Sequence, residues 1–365
     1  MTDLLRRILD LAVEIQQIPA PTFRERKRAE FARQLFRREQ LRDVSMDSLN
    51  NVFARLPGAI GADPLIVSAH LDTVFTAASE DKLLRQAGRI YGAGIGDNSL
   101  GVAALFGLVW MLRARRMTPA RDLWLVANTC EEGLGDLHGM KEVVARFGKS
   151  VQAYLVIEGM ALGQVYHRAV GVRRYRVRIA TEGGHSWSDY GRPSAVHEMA
   201  ELVTQLTSLR VAAHPRTSLN VGVIAGGSGI NVVASEAHFE LDVRSETEQG
   251  LREIITGVEQ RLHSAQKEGV SVKIDVIGER PAGDLPLDHS LLKLAGECLT
   301  EQGIQPTFTA GSTDANIPLS RGLPALVIGI TTGAGAHTPH EYIDVPPIKQ
   351  GMQQLFRFVE RVFES

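Results

Sequence analysis

Cysteine is almost absent from this chain. Only Cys130 and Cys298 occur, which is too few for a disulfide framework and points to a reducing compartment, so the expected location is the cytoplasm. Net charge is nearly absent as well: 40 Lys and Arg against 42 Asp and Glu leave −2. That balance gives no sign of nucleic acid or a membrane surface as partner. No segment reads as long and apolar enough to span a bilayer. The opening residues Met1-Thr2-Asp3-Leu4-Leu5-Arg6-Arg7 start an amphipathic helix and do not resemble a signal peptide. Low-complexity stretches and internal repeats are also missing.

What is present is a globular composition, 44% hydrophobic over 365 residues. That length exceeds one ordinary core and suggests two domains. The first half alternates helix and strand. Helices are expected over 4–16, 23–39, 100–115 and 140–146, and strands over 44–46, 52–56, 65–69, 123–128 and 153–157. This alternation argues for an α/β sheet with helices on both faces.

The pattern changes after about residue 164. Val172, Tyr175, Val177 and Ile179 alternate with Arg173, Arg174, Arg176 and Arg178, as in a strand with one solvated face. A helix over 195–208, strands over 218–224 and 238–245, a helix over 248–268 and a strand over 271–278 follow. This β-α-β-β-α-β order is the ferredoxin-like unit. The expected organisation is a first domain over 1–164, an inserted domain over 165–279 and resumption of the first over 280–365.

Chemistry-bearing residues sit where apolar runs end. Leu123-Trp124-Leu125-Val126-Ala127-Asn128 is followed by the adjacent carboxylates Glu131 and Glu132. Two like charges side by side raise each other's pKa, and a nearby cation relieves that penalty. Leu65-Ile66-Val67-Ser68-Ala69 leads into His70, and Asp72 two residues on can orient its ring. A Gly-rich stretch brings in Asp97, Ala153-Tyr154-Leu155-Val156-Ile157 delivers Glu158, and His337 and His340 lie far downstream. His70, Asp97, Glu132, Glu158 and His337 form a set of nitrogen and oxygen donors without thiolate. With one carboxylate bridging, the set suits a two-metal hydrolytic site. Taken singly, each residue has a plainer reading: a partly buried histidine, a turn aspartate, a solvated loop, a helix cap. Cys130 reads as a small core residue, since a metal site makes thiol attack unnecessary.

Several motifs occur together and in order: Ser68-Ala69-His70-Leu71-Asp72-Thr73-Val74, Gly96-Asp97-Asn98, Glu131-Glu132-Gly133, Ile157-Glu158-Gly159, Gly183-Gly184-His185-Ser186, Gly229-Ile230-Asn231, Asp242-Val243-Arg244, Gly311-Ser312-Thr313-Asp314-Ala315 and His337-Thr338-Pro339-His340-Glu341. In this they resemble the co-catalytic zinc exopeptidases of peptidase clan MH. The likeness is closest to the family of peptidase T, glutamate carboxypeptidase, succinyl-diaminopimelate desuccinylase and acetylornithine deacetylase. It spans nearly the whole chain.

The resemblance implies a catalytic domain interrupted by a smaller lid or dimerisation domain, and a homodimer. It implies two zinc ions, replaceable by cobalt or manganese, held by His70, Asp97, Glu132, Glu158 and His337, with His337 favoured over His340. It implies Glu131 as the proton shuttle, Asp72 as the residue that orients His70, and His185 as an oxyanion donor to the neighbouring subunit's site. Asn231, Arg244, Ser312 and Thr313 match positions that touch substrate. Arg244 reads equally as a partner of Asp242, and Ser312, Thr313 and Asp314 as caps of a helix over 315–319. The implied substrate is a short peptide cleaved by a di- or tripeptidase. An N-acyl amino acid cleaved by a deacylase or desuccinylase is the alternative, and a binding protein that has kept the fold is a third reading. The segment from Gly184 to Pro193 favours the di- and tripeptidases. Glu158 is the residue type of the carboxypeptidase and deacylase members, where aminopeptidase members carry Asp.

Overall fold

The computed structural model describes residues 2–75 and 83–364. It divides into two compact units, one of Met1–Arg168 with Asp284–Ser365 and one of Ala169–Gly283. The expected insertion over 165–279 starts and ends four residues earlier than this.

The first unit is built on a mixed sheet. Its central strands Arg121–Asn128, Ile60–His70, Ala153–Glu158 and Ala325–Gly329 are neighbours in that order and run parallel. Antiparallel strands flank them. Val52–Leu56 and then Arg42–Met46 lie on one side, and Gln164–Ala169 on the other. Buried on both faces, the central strands are continuous apolar runs, such as Leu65, Ile66 and Val67, all fully buried. The parallel strands all end at the same rim, so His70, Asn128 and Glu158 arrive there together.

The helix Leu100–Ala114 fills the core against this sheet. All its residues from Leu100 to Leu112 are buried, and Phe106 stacks on Phe36 with ring centroids 4.7 Å apart. Gly107 sits where an added Cβ would lie 2.7 Å from Ile8 and 2.8 Å from Met352. Ile95–Ala114, 20 residues, is long and apolar enough to cross a membrane, which corrects the expectation from sequence. Its most apolar window is 94% buried inside the protein, so the same composition is that of a core helix.

The second unit has the ferredoxin-like order. Strands Gly171–Thr181, Thr217–Gly226, Glu236–Ser245 and Val270–Arg280 form an antiparallel sheet in the spatial order Thr217–Gly226, Glu236–Ser245, Gly171–Thr181, Val270–Arg280. Helices Ala195–Thr207 and Glu248–Ser264 cover one face. Tyr175, Val177, Ile179, Phe239, Leu241 and Val243 pack there against Met199, Leu202, Leu206, Ile254 and Val258. The arginines between them are paired with acids. Arg174 meets Asp242, Arg176 meets Glu240 and Arg178 meets Asp275, all at 2.8–2.9 Å. The alternation in the sequence therefore reflects one apolar face and one ladder of cross-strand ion pairs.

Candidate metal centre

Three of the four central strands stop at a polar residue, His70, Asn128 or Glu158, and the turns beside them bring further acids to the same rim. His70 ends its strand with 1% of its surface exposed. Asp97 enters on the turn before Leu100–Ala114. Gly94 opens that turn in the left-handed region at φ 74°, and the Asp97–Asn98 peptide is cis. Asn98 fastens the turn to the neighbouring strand end: its Nδ2 donates to the Ile157 carbonyl at 2.8 Å, and its Oδ1 accepts from the Gly159 N–H at 2.8 Å. Gly159 must be glycine for this approach, because a Cβ there would lie 2.1 Å from the Gly96 oxygen.

Three groups of side chains come within mutual reach: His70, Glu131 and Glu132; His70, Asp97 and Glu158; and Asp97, Glu132 and His337. Within each, the candidate ligand atoms all lie within 4.8 Å of one another. Asp97 belongs to two of them with different oxygens. Its Oδ1 is 3.1 Å from His70 Nε2 and its Oδ2 is 3.1 Å from His337 Nε2. His337 Nε2 is also 3.1 Å from Glu132 Oε1, and His70 Nε2 is 3.8 Å from Glu158 Oε2. Two imidazoles on opposite oxygens of one carboxylate, each with a further carboxylate beside it, form a donor set that fits two borderline divalent cations. Of the two downstream histidines, His337 is the one whose ring meets the carboxylates of these groups.

Asp72 underlies this arrangement from a fully buried position. Its Oδ1 accepts the Glu131 N–H at 3.0 Å, and its Oδ2 accepts the Glu132 N–H at 2.9 Å and the Thr22 hydroxyl at 3.0 Å. Its backbone oxygen is 3.1 Å from His70 Nδ1, which leaves Nε2 facing Asp97. The carboxylate expected to orient His70 lies with its Oδ1 3.6 Å from Nδ1, so the closer contact to the ring is the backbone oxygen of the same residue. The structure adds that Asp72 orients both glutamates.

The cluster's electrostatics are those of crowded carboxylates. Burial alone would lower the pKa of His70, but Asp72 and Asp97 bonded to its ring and the charge of Glu158 raise it well above the ordinary value. Hydrogen bonds to Asp97 and Glu132 carry His337 up to about 10. Burial pushes Glu158 well up, against the pull of His70, and Asp97, Glu131 and Asp314 push it the same way. Burial would also raise Asp97, yet the two histidines hold it below the carboxylate range. A divalent cation among these groups competes with the histidine protons, so binding releases protons.

The remaining expected residues are carried by other elements. Thr313 is in the turn before the helix Asn316–Ser320, where its N–H donates to Asn316 Oδ1 at 2.9 Å and its Oγ1 accepts from Ala315 N–H at 3.3 Å. Ser312 precedes it, after the strand Thr307–Gly311. The fully buried Asp314 accepts from Asn128 Nδ2 at 2.6 Å. His185, Asn231 and Arg244 belong to the second unit. Gly184–His185 pairs with Val232–Val233, and the Ser186 N–H donates to the Asn231 carbonyl at 3.0 Å, so His185 and Asn231 are neighbours. His185 is an exposed residue, and its Nδ1 accepts from the Trp187 N–H at 3.2 Å, which assigns the proton of the neutral ring to Nε2. Arg244 Nε bonds Asp242 Oδ2 at 2.6 Å, so the ion-pair arrangement is present.

Two buried acids make bonds that the sequence analysis does not assign, although Glu341 closes the motif that begins at His337. Glu25, 1% exposed, accepts from the Cys130 N–H at 3.2 Å. Glu341, fully buried, binds the turn that bears Asp97, and burial raises its pKa to about 7. No local pattern marks Glu25, and the motif that ends at Glu341 does not reveal what its carboxylate binds. Cys130 itself is buried, and burial drives its thiol up to about 12, which suits a core residue.

The sequence pattern of peptidase family M20/M25/M40 matches residues 66–361. Succinyl-diaminopimelate desuccinylase of Corynebacterium glutamicum is 24% identical over 356 residues, 95% of this chain and 94% of that protein. Acetylornithine deacetylase of Proteus mirabilis is 24% identical over 84% of this chain and 81% of its own length. Among solved structures, a tripeptidase of Staphylococcus aureus superposes with a TM-score of 0.84 at 20% identity and 99% coverage of both chains. A Bacillus subtilis protein described as a dinuclear metal-binding peptidase of the M20 family superposes with a TM-score of 0.73 at 16% identity, covering 100% of this chain and 99% of that one.

The Asp72 bonds generate a prediction. Replacing Asp72 by Ala strands two buried backbone donors, each costing about 1–3 kcal/mol. Urea unfolding of Asp72→Ala is expected to show a loss of at least about 2 kcal/mol. A variant within about 0.5 kcal/mol of wild type would show that Asp72 does not anchor the glutamate pair.

Proposed function

The chain belongs to peptidase family M20/M25/M40, and from that premise we propose that it is a metal-dependent amide hydrolase that cleaves short peptides at a two-zinc site. The observation that carries this reading is the placement of His70 and His337 on opposite oxygens of Asp97. In this reading His70, Asp97 and Glu158 hold one ion, and Asp97, Glu132 and His337 hold the other. Bound zinc would supply Lewis acidity toward the scissile carbonyl and lower the pKa of the attacking water.

The chain's own groups do the rest. Glu131, 6% exposed and grouped with His70 and Glu132, takes the proton from the attacking water and hands it to the leaving amine. Asp72 keeps Glu131 and Glu132 in register through their N–H groups and holds the ring of His70. The Nε2–H of the exposed His185 is suited to stabilise an oxyanion, in a homodimer where it serves the partner's site. The edge strand Thr217–Gly226, with Val223 and Ile224 exposed, is the surface we assign to that pairing. Asn231, beside His185, Arg244, Ser312 and Thr313 are assigned to substrate. Two free, buried cysteines accord with a cytoplasmic setting.

A second reading has its own support. The desuccinylase and deacetylase relatives match over most of their length, and Glu158 is the residue type of the deacylase members. N-acyl amino acids are therefore the alternative substrates, cleaved by the same chemistry.

Three measurements follow. Hydrolysis of di- and tripeptides should exceed that of N-acetyl and N-succinyl amino acids by at least about 10-fold in kcat/KM with zinc present. The reverse ratio would transfer the assignment to the deacylases, and no hydrolysis of either class would defeat the enzyme reading. Glu131→Gln should retain the fold and two zinc ions per chain but lose turnover by about 10²–10⁴-fold. A variant that keeps most of its kcat excludes Glu131 as the base. For His185, co-expressed His185→Ala and Glu131→Gln subunits should form hybrid dimers with one intact site, recovering about a quarter of wild-type activity at random pairing. Verified hybrids without recovery would show that His185 does not act across subunits.

A further inference from the structure

Glu341 makes an unusual set of bonds. Its Oε2 accepts the Gly94 N–H at 2.7 Å, and its Oε1 accepts the Gly96 and Asp97 N–H groups at 2.7 and 2.9 Å. Three donors of one turn thus converge on a single carboxylate with no exposed surface. Convergent N–H groups of this kind form a concavity for an anion. Here the anion is supplied by the chain itself, from 244 to 247 positions away. The backbone of Glu341 adds to the tie: its carbonyl accepts the Gly92 N–H at 2.9 Å, and its N–H donates to the Thr338 carbonyl at 3.2 Å.

This carboxylate joins two elements that must hold their distance. One is the Asp97 turn. The other is the loop that carries His337, which doubles back at Gly335, where φ is 77° and a Cβ would lie 2.9 Å from the His340 oxygen. Across the gap between them, His337 Nε2 faces Asp97 Oδ2 at 3.1 Å. The opposite side of the turn has its own fastening, since Asn98 binds Ile157 and Gly159 beside Glu158. The half of the cluster with His70 and Glu158 is therefore fastened to the turn by Asn98. On the other side the root of the His337 loop is held by the pairing of Tyr342–Asp344 with Gly333–Ala334 and Arg89–Tyr91, and Glu341 is the side chain that binds this loop to the Asp97 turn itself.

We propose that Glu341 is a positioning residue that clamps the His337 loop to the Asp97 turn and thereby sets the affinity of one of the two metal ions, the one held by Asp97, Glu132 and His337. The proposal rests on the two-metal reading above. A carboxylate suits the position because it presents two acceptor oxygens. A glutamine presents one, and its amide N–H₂ would face a backbone donor. An aspartate keeps both oxygens but is one methylene shorter.

The test is calorimetric titration of metal-stripped protein with zinc, for wild type, His337→Ala, Glu341→Gln and Glu341→Asp, with folding checked by circular dichroism. Wild type is expected to bind two ions and His337→Ala to lose one, which identifies the dependent ion. Glu341→Gln is expected to weaken that same ion by about 10–100-fold, with a smaller change in the other. A purely structural role would lower the melting temperature and leave both affinities of the folded protein unaltered. Folded Glu341→Gln that binds both ions as wild type does, or weakens both alike, overturns the clamp. Wild type that binds fewer than two ions overturns the two-metal reading and the clamp with it. Should Glu341→Gln fail to fold, Glu341→Asp decides: a lesser weakening of the same ion supports the proposal, and unchanged binding refutes it.

Discussion

Carboxylates can be crowded into a poorly solvated site only if positive charge is interleaved with them. Around Asp97 the first unit gathers Glu131, Glu132 and Glu158, and only His70 and His337 supply cationic character within those groups. The rest of the site can be understood as the means of holding that imbalance in place. Left to themselves, four acids would move apart or take up protons. They stay together because each is attached to a rigid strand end or turn, and because backbone N–H dipoles are spent on the supporting acids Asp72 and Glu341.

This division of labour separates the acids that face one another from the acids that serve as anchors. Asp72 and Glu341 are both fully buried and both accept backbone N–H groups. Each binds a different turn, one carrying Glu131 and Glu132, the other carrying Asp97. The backbone N–H groups of Glu131, Glu132 and Asp97 thus bond the supporting acids, while Asp97 and Glu132 present carboxylate oxygens to His70 and His337. A site assembled this way is preorganised before anything enters it.

Much of this was legible in the sequence, for physical reasons. Apolar runs such as Leu65 to Ala69 and Ala153 to Ile157 mark strands buried on both faces, and a polar residue at the end of such a run lies at the sheet's rim. The arginine alternation marked the two-faced sheet of the second unit. Less legible were features that depend on distant pairing. The helix expected over 23–39 begins instead at Arg26, because Phe23 adopts φ 72° and its N–H is taken by the Glu25 carboxylate. The strand Gln164–Ala169 is mixed in polarity and declares itself through its partners, Ala325–Gly329, Gly283–Asp284 and Thr307–Gly311. Glu341 could not be recognised as an anchor, since its donors lie some 244 positions earlier.

The second unit enters and leaves its sheet side by side. Val172, near its start, is paired with Arg280, near its end, on adjacent antiparallel strands. For the first unit, the 169–283 excursion is therefore topologically equivalent to a tight hairpin, and its length imposes almost no closure entropy on the chain that surrounds it. A module with abutting ends and its own apolar core can be exchanged, lengthened or reshaped without disturbing the register of the host strands. Evolution can thus vary what this module contributes while the carboxylate-bearing strand ends stay where they are.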